Sequence, residues 1–189
     1  MNAAVVVGVI AASVSIVGWF VSHVLNSRAE RRRVRLAAQL AHVGKQLEEL
    51  YGPLAVLSYE GRASFRDLLG TLGRDYVPLT ELPIPQDILD LWLFWVDHDF
   101  MPRNAAVQQL VATKSHLIDG GDLPDSYRQF IDHYNSWRMS HERWKQQGIA
   151  YSWHSKTEWP SDFDRDVIKT YRDLLRRHAE LIGAVARTG

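Results

Sequence analysis

The chain predicts an all-α protein: one N-terminal transmembrane helix followed by a cytosolic bundle of four to five helices. Three observations carry this reading. The stretch Ala3 to Leu25 (AAVVVGVIAASVSIVGWFVSHVL) holds no Asp, Glu, Lys or Arg in 23 residues. Beyond it, apolar residues recur at helical spacing in one segment after another. No segment alternates apolar and polar residues as a half-buried strand does, and no internal repeat is visible.

As a helix, the charge-free stretch reaches roughly 34 Å at about 1.5 Å per residue, enough to cross a hydrocarbon core of about 30 Å with some tilt. A secretory signal would carry its positive charge before a shorter apolar run, whereas here the charge follows a longer one. A core helix with no polar face would need a much larger protein around it. The expected division is therefore an anchor over 1–27, a basic juxtamembrane and amphipathic linking helix over 28–52, and a cytosolic helical domain over 53–189.

The segment SRAERRRVR follows the span, with Arg28, Arg31, Arg32, Arg33 and Arg35 against Glu30. Basic residues flanking a span stay on the cytoplasmic side. The expected location is the inner (plasma) membrane, with the N-terminus outside and the C-terminal domain cytoplasmic. These arginines also face the lipid headgroups and suit anionic lipid, so membrane lipid is an expected partner. Trp19 and His23 fall near the inner end of the span, where amphipathic side chains settle.

Within the span, Ala4, Gly8, Ala11, Ser15, Gly18 and Ser22 fall 4, 3, 4, 3 and 4 residues apart, making one stripe of small residues. Small residues let helix backbones approach in lipid, and Ser hydroxyls bond across the contact. Gly8, Ala11, Ser15, Gly18 and Ser22 are the candidate association face, and a homo-oligomer is expected.

The formal net charge is zero, but Arg28 to Arg35 holds about +4 of it, leaving about −4 on the remainder. A cytosolic region of that sign neutralises phosphate poorly, so no nucleic-acid partner is expected. There is no cysteine, which removes disulfides, thiolate metal sites and Cys nucleophiles. Seven Trp, seven Tyr and six Phe are enough aromatic mass for one compact core.

Leu36, Leu40, Val43, Leu47, Leu50, Leu54 and Leu57 form a narrow seam 4 and 3 residues apart, as in a bundle or coiled coil. Tyr51-Gly52-Pro53 is expected to stop that helix and restart the next, which runs to about Leu72. Three prolines between Tyr76 and Pro85 predict an extended crossing loop. The third helix starts near Gln86, with Ile88, Leu91, Trp92 and Trp95 on one side. It meets a kink or restart at Pro102, resumes through Val107, Leu110, Val111, Leu117 and Ile118, and ends at Gly120-Gly121. The fourth begins near Asp125 with an aromatic stripe of Tyr127, Phe130, Tyr134, Trp137, His141 and Trp144, and closes at Gly148. The fifth follows from about Asp162, with Phe163, Val167, Tyr171, Leu174, Leu175, Leu181, Ile182 and Val185 expected inward.

No phosphate loop, dinucleotide fingerprint or nucleophile elbow is present. Asp97-His98-Asp99 sets carboxylates beside an imidazole, yet neighbours in sequence point to different helix faces. No His pair has the i, i+4 spacing of a helical metal site, and His116 with Asp119 is a weak substitute, so neither metal nor cofactor is expected. No catalytic residue is assigned. Asp97, His98, Trp153, His154 and Trp159 are the candidate binding residues, the last three from a Trp- and Tyr-rich loop that either packs on the bundle or meets a partner.

Three segments, LEELYGPL (Leu47 to Leu54), DFMPRN (Asp99 to Asn104) and the stretch around Glu180-Leu181-Ile182-Gly183, resemble an uncharacterised group of bacterial single-pass membrane proteins. The resemblance implies a span, a basic juxtamembrane segment and a helical domain, with no activity or cofactor. The function expected is a membrane-anchored interaction or scaffold protein that self-associates and presents its helical domain to an unknown cytosolic protein. The alternatives are a subunit of an oligomeric pore lined by Ser15, Ser22 and His23, and a membrane-tethered enzyme using the Asp97–Asp99 or Ser152–Glu158 region.

Overall fold

A computed structural model describes residues 3–77, 84–148 and 159–187, leaving out the side chains of 3–17 and 21. It is all-helical: among the described residues there is no strand. Helix α1 spans Ala3–Gln46, and a single π-helical turn, Leu47–Tyr51, leads without a break into α2, Gly52–Leu72. The pattern recurs: α3 covers Gln86–Trp95, a second π turn covers Val96–Phe100, and α4 continues over Met101–Thr113. A 3-10 turn, Ser115–Leu117, precedes α5 at Asp125–Gln147, and α6 is Phe163–Ala186.

One expectation is corrected here and another narrowed. The chain neither stops nor restarts at Gly52-Pro53, and of the kink or restart expected at Pro102 there is no restart. A proline lacks an N–H and its ring collides with the carbonyl four residues back. Widening one turn just before it accommodates that collision while the helix continues. Gly52 and Met101 then donate their N–H groups to Leu47 and Val96, five residues back. The third helix also ends earlier than the apolar spacing suggested, at Thr113, and Leu117 and Ile118 are buried from a turn beyond it. Gly120 and Gly121 sit in that connection with φ of 84° and 82°, a region that side chains with a Cβ rarely adopt.

The chain divides into two compact units, one of residues 1–44 with 176–189 and one of 45–175. In the first, α1 and the end of α6 approach at Gly44, whose Cα faces His178. In the second, α2 packs on α4 and α4 on α5. The α2–α4 pair runs antiparallel, because Glu49 pairs with Lys114 while Ser64 meets Arg103.

One core cluster joins Leu68 of α2 to Trp92, Val96 and Phe100, with Trp95, Met101 and Trp137 packed against it. Around α5 the buried Tyr127, Phe130 and Tyr134 meet Phe163 of α6. From the predicted seam, Val43, Leu50 and Leu54 are buried, and Leu36, Leu40, Leu47 and Leu57 are half-buried. Leu175 and Ile182 of α6, expected inward, are instead 44% and 49% exposed. They lie beside inward positions in sequence and share only the margin of that face.

Candidate functional site

The first candidate region is the middle of α1. Trp19 is 69% exposed and lies parallel to the His23 ring at 5.5 Å between centroids, one helical turn away. Phe20 and Leu25 are also exposed, as are Arg28, Arg31, Arg32, Arg33 and Arg35. Gly18 and Ser22 are exposed, and a methyl group added at Gly18 would meet nothing within 4 Å. The rest of the candidate association face, Gly8, Ala11 and Ser15, lies outside the residues whose side chains are described. Among the described residues no helix is long and apolar enough to cross a membrane.

The second region is the turn Asp97-His98-Asp99, which falls inside the second π turn. Its three side chains go three ways. Asp97 Oδ1 accepts from His141 Nε2 at 2.8 Å and Lys145 Nζ at 2.6 Å, both on α5. Burial opposes its charge, but these two donors outweigh that and hold its carboxyl below the usual range. His98 places Nδ1 2.8 Å from the carbonyl of Phe94 and stacks on the Phe94 ring. Asp99 pairs with Arg103, which also donates to Ser64 on α2. Asp97 thus ties this turn to α5 and Asp99, through Arg103, ties it to α2, while His98 folds back on its own helix. Among the described residues no three His, Asp or Glu side chains gather as metal ligands.

No family model, curated protein or solved structure matches the chain.

The third region is the aromatic loop. Trp153 and His154 lie outside the described residues. Trp159 is half-exposed and stands edge-on to both Phe130 and His133, at 5.7 and 5.5 Å between centroids. Its ring therefore sits against the Phe130–His133 turn of α5.

Sequence reasoning did not single out the polar grip on the segment between α4 and α5. Gln46 Nε2 donates to the carbonyl of Leu117 at 3.0 Å, and Tyr51 Oη accepts from the Asp119 N–H at 3.0 Å. The Tyr127 hydroxyl also donates to Tyr51, and burial raises both phenol pKa values. Glu49 accepts from Lys114 at 2.6 Å, and that bond lowers its pKa. The first π turn and the residues flanking it therefore hold the 114–119 segment at three points. The partners of Gln46, Glu49 and Tyr51 lie 71, 65 and 68 residues along the chain, which residue spacing does not show.

A half-buried carboxyl was missed as well. Asp164, in the first turn of α6, has its pKa raised by burial, with the Ser58 hydroxyl and the Arg62 charge partly offsetting. A folded-state pKa above the unfolded value means that the native chain binds more protons between the two. Stability therefore falls as pH rises from about 4 through the folded pKa and is level above it. Asp164→Asn is expected to flatten that fall and to leave stability at pH 7 no lower. Thermal unfolding of both proteins between pH 4 and 7 checks this, and a variant markedly less stable at pH 7 would contradict it.

Proposed function

We propose that the chain is a membrane-anchored helical interaction protein. It spans the inner (plasma) membrane once, with its N-terminus outside, and self-associates through the small-residue face. It presents its helical domain to a cytosolic protein partner. The observation that carries this reading is an unbroken backbone helix that leads from the charge-free stretch, past the exposed Trp19–His23 stack, into five exposed arginines. An exposed aromatic pair between an apolar segment and a basic one fits the headgroup layer. The pairing of Asp97 with His141 and Lys145, and of Asp99 with Arg103, favours a scaffold over a catalytic role for that turn.

The test is alkaline extraction of membranes from cells making the full chain, compared with a variant lacking residues 1–25. The full chain is expected to stay in the pellet and the shortened one to enter the supernatant. A protease added to intact cells is expected to spare a tag at the C-terminus. Full-length chain in the alkaline supernatant, or a tag cut from outside, overturns the reading. For self-association, Gly18→Leu is expected to lower the oligomer fraction in nanodiscs by several-fold, and an unchanged fraction removes that part.

A further inference from the structure

Around the middle of α1, at about 100° per residue, exposed and half-buried side chains form three rows beside the one that holds Arg28 and Arg32. Gly18, Ser22, Leu25 and Ala29 form the small-residue row. Trp19, His23, Asn26 and Glu30 form a second. Phe20, Val24, Ser27, Arg31 and Arg35 form a third, adjoining the second and on the far side of the helix from the first. Between the second and third rows runs a shallow trough of about 620 Å³ lined by Asn26, Ser27, Glu30, Arg31, Val34 and Arg35. One wall carries the two guanidinium groups, one turn apart. The other carries the Asn26 amide and the Glu30 carboxylate.

We infer that this trough is a headgroup site for an anionic phospholipid whose headgroup carries free hydroxyls, such as phosphatidylglycerol. The inference rests on the membrane reading above. Charge and order along the helix select the occupant. Phe20, 61% exposed, and Val24 precede the trough on the same row, so an acyl chain can lie along them toward the bilayer interior. Ser27, Arg31 and Arg35 follow, where the phosphodiester of that same molecule falls. Guanidinium groups bind phosphate oxygens with paired N–H donors. Glu30 and Asn26 accept hydrogen bonds from the headgroup hydroxyls across the trough. A soluble phosphate ion would use the arginines but leave Phe20 and Val24 uncovered. Because the lipid row lies on the far side of the helix from Gly18 and Ser22, lipid binding and self-association do not compete.

The experiment uses the full chain in detergent micelles doped equally with phosphatidylglycerol and phosphatidylcholine, with bound lipid counted by native mass spectrometry. An arginine within contact of an anionic headgroup, as Arg31 and Arg35 are at this site, is worth roughly fivefold. Retention is expected to favour phosphatidylglycerol by more than tenfold. Arg31→Gln with Arg35→Gln should bring the ratio to within about twofold of unity, while Arg32→Gln with Arg33→Gln, the same loss of charge elsewhere, should keep most of it. Inorganic phosphate should displace the lipid no better than chloride at equal ionic strength. Equal losses in the two double variants, no preference for phosphatidylglycerol over phosphatidylcholine, or displacement specific to phosphate would overturn the site. The alkaline extraction separates the two claims: a chain that stays in the pellet yet shows no lipid preference removes the trough alone, and a chain released from the pellet removes both.

Discussion

Replacing Gly52 by alanine is expected to destabilise the protein by about 2–3 kcal/mol, a loss comparable to overpacking a core. The glycine has φ −63° and ψ −56°, so no unusual backbone conformation calls for it. Space does. A Cβ built there would lie 2.6 Å from the Leu47 carbonyl oxygen and 3.7 Å from its carbon. That oxygen is the acceptor of the π turn's own bond from the Gly52 N–H, so it cannot withdraw without weakening the bond. Moving the turn also moves Gln46 and Tyr51 away from Leu117 and Asp119. Thermal unfolding should show a midpoint lower by about 5–10 °C. Gly70 provides the contrast. It lies exposed in the same helix with nothing within 4 Å of an added Cβ, and Gly70→Ala should stabilise by about 0.5–1 kcal/mol through backbone entropy alone. If the two substitutions had the same effect, the close approach at Leu47 would not be what fixes Gly52.

This glycine also marks where the sequence was legible and where it was not. Helical class, the starts of α3, α5 and α6, and the burial of Tyr127, Phe130, Tyr134 and His141 follow from apolar spacing and from proline and glycine punctuation. Those are local rules, and nothing in the packing overrides them. The prolines misled because the local rule has two outcomes. A helix can break before a proline or widen by one residue, and tertiary packing decides between them. Here Tyr51 and Phe100, each two residues before its proline, are buried, so a break would uncover both. The two turns share a short pattern, LEELYGP and VDHDFMP, in which two acidic residues precede a buried aromatic and then a proline. At seven residues it is too short to register as a repeat, and it became visible only as paired backbone geometry.

The site residues divided along the same line. Asp97, His98 and Asp99 were legible as residues whose side chains must diverge. Their partners Phe94 and Arg103 lie one turn away on the same helix, but His141 and Lys145 lie more than forty residues along the chain. Asp164 gave no signal at all, since an acidic residue in a first helical turn is ordinary. Its burial against Ser58 and Arg62 depends on how α6 meets α2.

The second large effect is expected at Phe130, where substitution by alanine should cost about 3–5 kcal/mol. The side chain is fully buried and stacks on Phe163 at 4.7 Å and 20° between planes. Tyr134 lies parallel to it on the next turn, and the edge of Trp159 closes its other side. Its removal empties a space bounded by rings, which collapse poorly because each is fixed by a further neighbour: Phe163 by Tyr127 and Trp159 by His133. A domain's whole stability is about 5–15 kcal/mol, so the loss is a large fraction of it and should lower the thermal midpoint by about 10 °C. Phe94 supplies the control within the same molecule. It is 57% exposed and stacks on His98 alone among the described ring contacts, so Phe94→Ala should shift stability by no more than about 0.5 kcal/mol. Trp159 is the one candidate binding residue of the aromatic loop with a described position, and Phe130 is part of what holds it. A variant that loses Phe130 should therefore also increase solvent access to Trp159, read by acrylamide quenching against a Trp159→Phe reference. Unchanged quenching with the full loss of stability would show that Trp159 is held by His133 and Phe163 without help from Phe130.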